Sequence, residues 1–177
     1  MDFGLTDKRA FVGGGSQGIG KAIAIELAKE GCDIVIAART QSVLDESAKE
    51  IEDITGRRVV PIALDVTSRE QVDSAIAEAV NQLGGLDILV NSASLPGGSR
   101  SAVGPIHGLD DDDLLRDFDT KYVGALRCAR AAIPYLKEQP WSRIINISGG
   151  NARIAGNLSG GARNVSLVHL TKTLAVQ

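Results

Sequence analysis

A glycine-rich turn near the N-terminus has residue types and a spacing that could hold a phosphate-bearing ligand. The segment GGGSQGIG, from Gly13 to Gly20, follows a short apolar run and leads directly into the amphipathic segment KAIAIELAKEG. A strand that turns tightly into a helix presents free backbone N–H groups and the positive end of the helix dipole to a diphosphate, and glycines allow close approach. This order predicts a dinucleotide site rather than a turn without a ligand.

The end of the second apolar run bears on which dinucleotide would bind. That run closes with IAART, which places Arg39 and Thr40 at its tip and leaves the tip without a carboxylate. NAD-specific sites place an acidic residue here for the ribose hydroxyls, whereas an arginine accommodates a 2'-phosphate. The sequence therefore predicts NADP(H); the alternative is that Arg39 is a solvated surface charge.

Short apolar runs alternate with longer amphipathic segments along the whole chain. This alternation predicts an α/β fold, a Rossmann-type doubly wound parallel sheet with helices on both faces, in a single dinucleotide-binding domain spanning residues 1–177. The predicted strands are Arg9–Val12, Asp33–Ala38, Arg58–Ala63, Asp87–Asn91 and Arg143–Ser148. The predicted helices are Gly18–Glu30, Ser42–Thr55, Arg69–Leu83, Asp111–Lys137 and a last one from about Ala162 to Gln177.

The last predicted helix is still amphipathic at Gln177, without the cap or turn that normally ends a helix. We therefore expect further strands and a substrate-covering lid to follow it.

Composition excludes several function classes. The 177 residues are 44% hydrophobic, 23% charged and only 3% aromatic, with a formal net charge of -3. These values indicate an ordinary globular protein and give no electrostatic reason to expect nucleic acid or an anionic membrane as partner. No apolar run reaches the length of a signal peptide or a membrane span, which predicts a cytoplasmic protein. The two cysteines, Cys32 and Cys128, are predicted to be reduced and structural.

Several segments, in order, resemble the short-chain dehydrogenase/reductase family. The glycines at Gly14, Gly18 and Gly20 have its GxxxGxG spacing, Leu64-Asp65-Val66 resembles its adenine-contacting segment, and Asn91-Ser92-Ala93-Ser94 resembles its NNAG segment. The resemblance covers the whole chain, which corresponds to about the first two thirds of a usual member. Together with the turn, it implies these cofactor-binding residues: Gly14, Ser16, Gln17, Gly18, Ile19, Gly20, Arg39, Thr40, Asp65, Val66, Asn91, Ser92 and Ala93.

The same resemblance implies a catalytic set that this chain lacks. The family uses a Tyr, a Lys four residues later, a Ser on the preceding loop and an Asn on the long helix. Anchored on LTKTLA at Leu170, these positions fall on Gly160, Asn164, Gly149 and Lys121, respectively. Between Ser148 and Gln177 there is no Tyr, and the one Lys is Lys172, so a shifted register does not restore the pair.

Other side chains could supply the proton that carbonyl reduction requires. We name Ser148, Lys121 and His107 as candidate catalytic residues, with Ser159 and Arg163 near the lost Tyr. Each has a plainer interpretation. His107 lies in a predicted surface loop, and Lys121 could extend to solvent or contact the cofactor.

Two neighbouring segments are interpreted as structural. The acidic run from Asp110 to Asp113 is predicted to cap a helix rather than to bind a metal. The glycine- and proline-rich segment 95–109 is predicted to be a mobile loop bordering the ligand crevice.

Two hypotheses remain open at this stage. The first is an NADP(H)-dependent oxidoreductase with replaced acid-base residues, acting on a small carbonyl, alcohol or activated alkene. The second is a catalytically silent NADP(H)-binding sensor or interaction protein. The family resemblance also implies a homo-oligomer, either a dimer or a tetramer, formed through the long helix and the last helix.

Overall fold

A computed structural model describes residues 3–95 and 97–177. Pro96, which belongs to the predicted loop 95–109, lies outside the described residues. Five parallel strands form one sheet, in the order β3-β2-β1-β4-β5. The strands are β1 (Arg9–Gly13), β2 (Asp33–Ala38), β3 (Val59–Ala63), β4 (Ile88–Asn91) and β5 (Arg143–Asn146). The predicted Rossmann-type α/β fold is confirmed.

Helices connect successive strands and cover both faces of the sheet. They are α1 (Gly18–Lys29), α2 (Gln41–Thr55), α3 (Arg69–Leu83), α4 (Asp111–Phe118), α5 (Gly124–Leu136) and α6 (Leu158–Leu174). Side chains alternate across the strands. In β1, Phe11 packs with α3 and α5, whereas its neighbour Val12 packs with α1 and α2. Both are fully buried, as expected for a central strand covered on both sides.

Two predicted helices differ from the structure. The segment 111–137 is not one continuous α-helix, because a π-helical turn, Asp119–Val123, separates α4 from α5. The last helix begins at Leu158 rather than Ala162, because the Asn157 side chain caps it by accepting a hydrogen bond from the Gly160 N–H at 2.6 Å. It ends at Leu174 rather than continuing to Gln177.

The last predicted strand is also too long. Its ladder with β4 ends at Asn146, and the final backbone bond there runs from the Ile147 N–H to the Asn91 carbonyl at 2.9 Å. Ser148 therefore lies just past the carboxyl end of β5, where it faces a crevice.

Both cysteines are buried and free. Burial raises the pKa of Cys32 to about 11 and that of Cys128 to about 12, which disfavours the reactive thiolate form. Within residues 3–95 and 97–177, no helix is long and apolar enough to cross a membrane, and no cluster of three or more metal-binding side chains occurs.

Candidate dinucleotide crevice

A crevice of about 850 Å³ opens at the carboxyl ends of the parallel strands. In open α/β sheets this edge is where ligands bind, beside the point at which strand order reverses. Here that point lies between β1 and β4. The crevice is lined by every predicted cofactor-binding residue except Asn91, namely Gly14, Ser16, Gln17, Gly18, Ile19, Gly20, Arg39, Thr40, Asp65, Val66, Ser92 and Ala93.

Asn91 lies beneath the crevice and has a structural role in this conformation. Its side-chain amide donates to Asn146 Oδ1 at 2.8 Å and to the Ala125 carbonyl at 3.5 Å. Asn91 thereby joins β4 to β5 and to the start of α5, at the point where the loop after β4 begins.

Two glycines of the turn, Gly14 and Gly20, have no room for a side chain. Gly14 has a φ of +79°, and a Cβ atom there would lie 2.7 Å from the Ala93 backbone nitrogen. A Cβ atom at Gly20 would overlap the carbonyl oxygen of Gly14. The turn therefore packs closely against the loop after β4, and only glycine satisfies both positions.

The first turn of α1 is available to an anion. Gln17 precedes the helix in an extended conformation and makes no side-chain capping bond, and no acidic residue occupies the first turn. The N–H groups that begin every α-helix lack intrahelical partners, and the dipole favours a negative charge beside them. These features fit the diphosphate of a dinucleotide.

The rim beside β2 combines positive charge with an ionised carboxylate. Arg39 is exposed and lines the crevice, and it forms no ion pair with a described residue. Burial alone would raise the pKa of Asp65, but hydrogen bonds from the Thr67 N–H and hydroxyl, together with the Arg39 charge, lower it overall. Asp65 Oδ1 accepts both Thr67 bonds, at 2.9 and 2.7 Å, so this carboxylate is turned toward its own loop.

Asparagine side chains occupy the space at the positions aligned with the family's Ser and Tyr. A Cβ atom at Gly149 would lie 2.8 Å from Asn164 Nδ2. A Cβ atom at Gly160 would lie 3.0 Å from Asn151 Nδ2 and 3.3 Å from Asn157 Oδ1. A larger side chain at either position would therefore have to displace an asparagine side chain.

The structure brings together two of the three candidate catalytic residues. Ser148 and Lys121 both line the crevice, whereas His107 lies exposed on a short 3-10 helix, Ile106–Gly108, outside it. The Ser148 hydroxyl donates to the Asn164 backbone carbonyl at 3.3 Å. Burial lowers the pKa of Lys121, the nearby Arg163 lowers it further, and Asp117 acts in the opposite direction.

A buried ionic cluster beside Lys121 was missed from the sequence. Asp117 of α4 is fully buried, forms an ion pair with Arg163 of α6 and accepts a hydrogen bond from the Ser159 hydroxyl. Ser159 and Arg163, named earlier as possible substitutes for the lost Tyr, are therefore occupied by this carboxylate. Asp117 gave no local signal because its partners lie more than 40 positions away along the chain.

The loop after β4 that contains Ser99 and Ser101 is attached to α4. Asp110 caps α4 by accepting a hydrogen bond from the Asp113 N–H at 2.9 Å, as predicted. Asp113 instead holds the loop: its Oδ2 accepts from the hydroxyls of Ser99 and Ser101 and from the Ser101 N–H, at 2.6 to 3.0 Å. The hydrogen bond from Ser99, with those from Ser101, lowers the pKa of Asp113 to about 2.

We expect Asp113→Ala to release this loop. Loss of the three bonds should make trypsin cleavage after the exposed Arg100 about tenfold faster, because the segment would open more often without them. Asp112→Ala is the control, since Asp112 is exposed on the same turn. Equal cleavage rates in the two variants would contradict the role of Asp113.

The depressed pKa of Asp113 also makes this attachment depend on pH. The contact stabilises the fold fully above the ordinary carboxyl pKa and is lost as the pH falls through the folded-state value of about 2. Hydrogen exchange should therefore show the Ser101 amide still protected at pH 4.

Comparison with known proteins agrees with this geometry. A family model described as short chain dehydrogenase matches residues 8–177, and the chain belongs to this family. Hydroxysteroid dehydrogenase-like protein 2 of Pongo abelii is 39% identical over 145 residues, which cover 78% of this chain and 33% of that protein. The chain thus spans about a third of the length of this curated relative.

Two solved structures share this fold but contain different nicotinamide cofactors. L-Sorbose reductase from Gluconobacter frateurii, complexed with NADPH and L-sorbose, is 31% identical, with a TM-score of 0.91 over 99% of this chain and 66% of that one. An NAD+-bound xylitol dehydrogenase is 25% identical, with a TM-score of 0.90 over 97% of this chain and 65% of that one. These neighbours support a nicotinamide cofactor, whereas the choice between NAD and NADP depends on the residues of this chain.

Proposed function

We propose that this chain is an NADP(H)-dependent oxidoreductase with replaced acid-base residues, acting on a small carbonyl, alcohol or activated alkene. The observation that carries this proposal is Arg39, an exposed guanidinium on the crevice rim with no carboxylate oxygen of a described residue within 4.0 Å of it. Beside it, Thr40 offers a hydroxyl donor, and the tip of β2 has no acid that would repel a 2'-phosphate. A nicotinamide held in the crevice supplies or accepts a hydride.

The chain's own residues would then hold the substrate and move a proton. Carbonyl reduction leaves an alkoxide oxygen that must receive a proton. Among the three candidates, Lys121 and Ser148 line the crevice, which supports them as donors to that oxygen. His107 would have to approach from the loop between β4 and α4.

A panel assay tests turnover. The full-length protein is incubated with NADPH and a range of ketones, aldehydes and enones while the loss of NADPH absorbance is followed. We expect oxidation with at least one compound, reduced in Ser148→Ala or Lys121→Ala. Undiminished oxidation in Ser148→Ala, Lys121→Ala and His107→Ala would refute all three residues as proton donors.

A second candidate function is a catalytically silent NADP(H)-binding sensor or interaction protein. The asparagine side chains close to Gly149 and Gly160 favour it, because a larger residue at either position would have to displace them. Micromolar NADPH binding without any oxidation across the panel would support this function over the first.

Replacing Arg39 by aspartate tests the cofactor assignment. Loss of a charge-assisted pair with the 2'-phosphate should weaken NADPH binding relative to NADH by about tenfold to a hundredfold. Calorimetric titration with each cofactor measures the ratio of the two Kd values. Arg130→Asp, at an exposed arginine of α5, controls for the change in net charge. An unchanged ratio in Arg39→Asp would remove Arg39 from the phosphate site.

We also propose a location and partners for the protein. We place it in the cytoplasm and assign it a small-molecule substrate, with no nucleic acid or membrane partner. Self-association as a dimer or tetramer would use α5 and α6, where Val165 and Val168 of α6 expose apolar surface. Light scattering at several protein concentrations measures this state.

A further inference from the structure

Lys121 is a half-buried cation that lacks a counterion of its own. It lies on the π-helical turn Asp119–Val123 and lines the crevice. Within the described ranges 3–95 and 97–177, its ammonium makes no hydrogen bond and no carboxylate oxygen lies within 4.0 Å of it. Because the side chain is half-buried and lines the crevice, a ligand group bound there could replace water around its ammonium and pair with its charge.

The carboxylates near Lys121 are engaged by other groups. Asp117 is held by Arg163 and Ser159, and Asp119 is paired with Arg127 at 2.8 Å. Lys121 and Arg163 together face the single carboxylate of Asp117, which leaves one positive charge at this point of the crevice. A ligand group with a single negative charge, such as a carboxylate at neutral pH, would balance it. A phosphate monoester carries about 1.5 to 2 negative charges.

The Lys121 ammonium lies away from the predicted 2'-phosphate site at Arg39. Arg39 follows β2, whereas Lys121 faces Arg163 of α6, whose Nη1 lies 3.5 Å from Ser94 Oγ in the loop after β4. Since β1 lies between β2 and β4, the two cations occupy opposite sides of the central strand. Apolar side chains of Leu95 and Ile147 line the crevice together with Lys121.

We propose that Lys121 binds a carboxylate of the substrate, so that the chain takes small oxo acids or hydroxy acids rather than neutral ketones or alcohols. This inference rests on the proposed function, because it assumes a substrate beside a bound dinucleotide. The ammonium would hold the carboxylate, and Leu95 and Ile147 would contact the carbon skeleton. The Ser94 hydroxyl, which here donates to the Leu95 carbonyl at 3.3 Å, would have to rotate to reach the carboxylate.

The test measures ternary binding, so it does not depend on turnover. The full chain is saturated with NADP+ and titrated calorimetrically with phenylglyoxylate, acetoacetate and levulinate, and with the methyl ester of each. At least one carboxylate should bind about tenfold or more tightly than its ester, as expected for a hydrogen bond between charged groups. Lys121→Met should abolish the preference, and Lys121→Arg should keep most of it.

Matched controls distinguish a substrate carboxylate at Lys121 from a general anion and from the cofactor. Lys137→Met, at an exposed lysine just after α5, should leave the preference unchanged. Acetate and inorganic phosphate should bind more weakly than the preferred oxo acid; equal binding would indicate a general anion site and overturn the inference. An equal loss of affinity for NADP+ in Lys121→Met would assign the ammonium to the cofactor and also overturn it.

The two proposals fail in different ways. A wild-type chain that does not bind NADP+ contradicts the proposed function itself. A chain that binds NADP+ but does not distinguish any oxo acid from its ester leaves the proposed function intact and refutes the role of Lys121.

Discussion

Gly20→Ala should abolish measurable binding of NADPH and NADP+ while leaving a folded protein. The added methyl group would overlap the Gly14 carbonyl oxygen and lie 2.8 Å from the Gly14 carbonyl carbon. Relief of this overlap requires Gly14 to move, and Gly14 is itself in close contact with the loop after β4. The backbone N–H groups that would bind the diphosphate would then be displaced, so we expect affinity to fall by more than about a hundredfold.

Helix propensity cannot account for such a loss. Alanine favours a helix over glycine by about 1 kcal/mol, so the substitution in α1 would by itself stabilise the helix. Gly161→Ala is the matched control: it also lies in the first turn of a helix, but its nearest contact would be an ordinary 3.6 Å from the Asn151 carbonyl. Circular dichroism establishes that each variant is folded, and calorimetry measures binding. Wild-type affinity in a folded Gly20→Ala variant would refute the glycine turn as the diphosphate site.

The crevice was predictable because its signals are local. The glycine turn, the tip of β2 and the segments after β3 and β4 each combine a strand end with the residues that follow it. Once strands are parallel, their carboxyl ends meet at one edge, which brings the predicted cofactor residues together. Asn91 is the exception, because it is still part of β4 and its side chain bonds to that of its cross-strand partner Asn146.

The errors in α4 to α6 have a different physical origin. The predicted last helix began only at about Ala162. Gly160 and Gly161 have low helix propensity, but the Asn157 cap stabilises the first turn of α6. The π-helical turn Asp119–Val123 contains no glycine or proline, so no helix-breaking residue marks it in the sequence. The pairing of Asp117 with Arg163 joins two helices far apart in sequence, so no spacing rule could identify it.

Asp117→Ala should be among the most destabilising single substitutions in the chain. It would leave Arg163, whose side chain is only 12% exposed, without its carboxylate and beside a second cation, Lys121. Breaking a buried ion pair by removing one partner typically costs about 3–5 kcal/mol. Urea denaturation measures this loss, with Asp111→Ala as control because Asp111 is exposed in the first turn of α4.

A second substitution separates loss of charge from loss of packing. In the double variant Asp117→Ala with Arg163→Met, the guanidinium that Asp117→Ala leaves unpaired is also removed, so much of the stability lost in Asp117→Ala should return. Lys121 would then lack both the repulsion from Arg163 and the attraction of Asp117, while its own ammonium remains in the crevice. If the double variant regains stability and retains the preference for an oxo acid over its ester, the ionic cluster supports the fold and Lys121 alone binds the carboxylate. A double variant as unstable as Asp117→Ala would instead show that the aspartate acts through Ser159 and local packing.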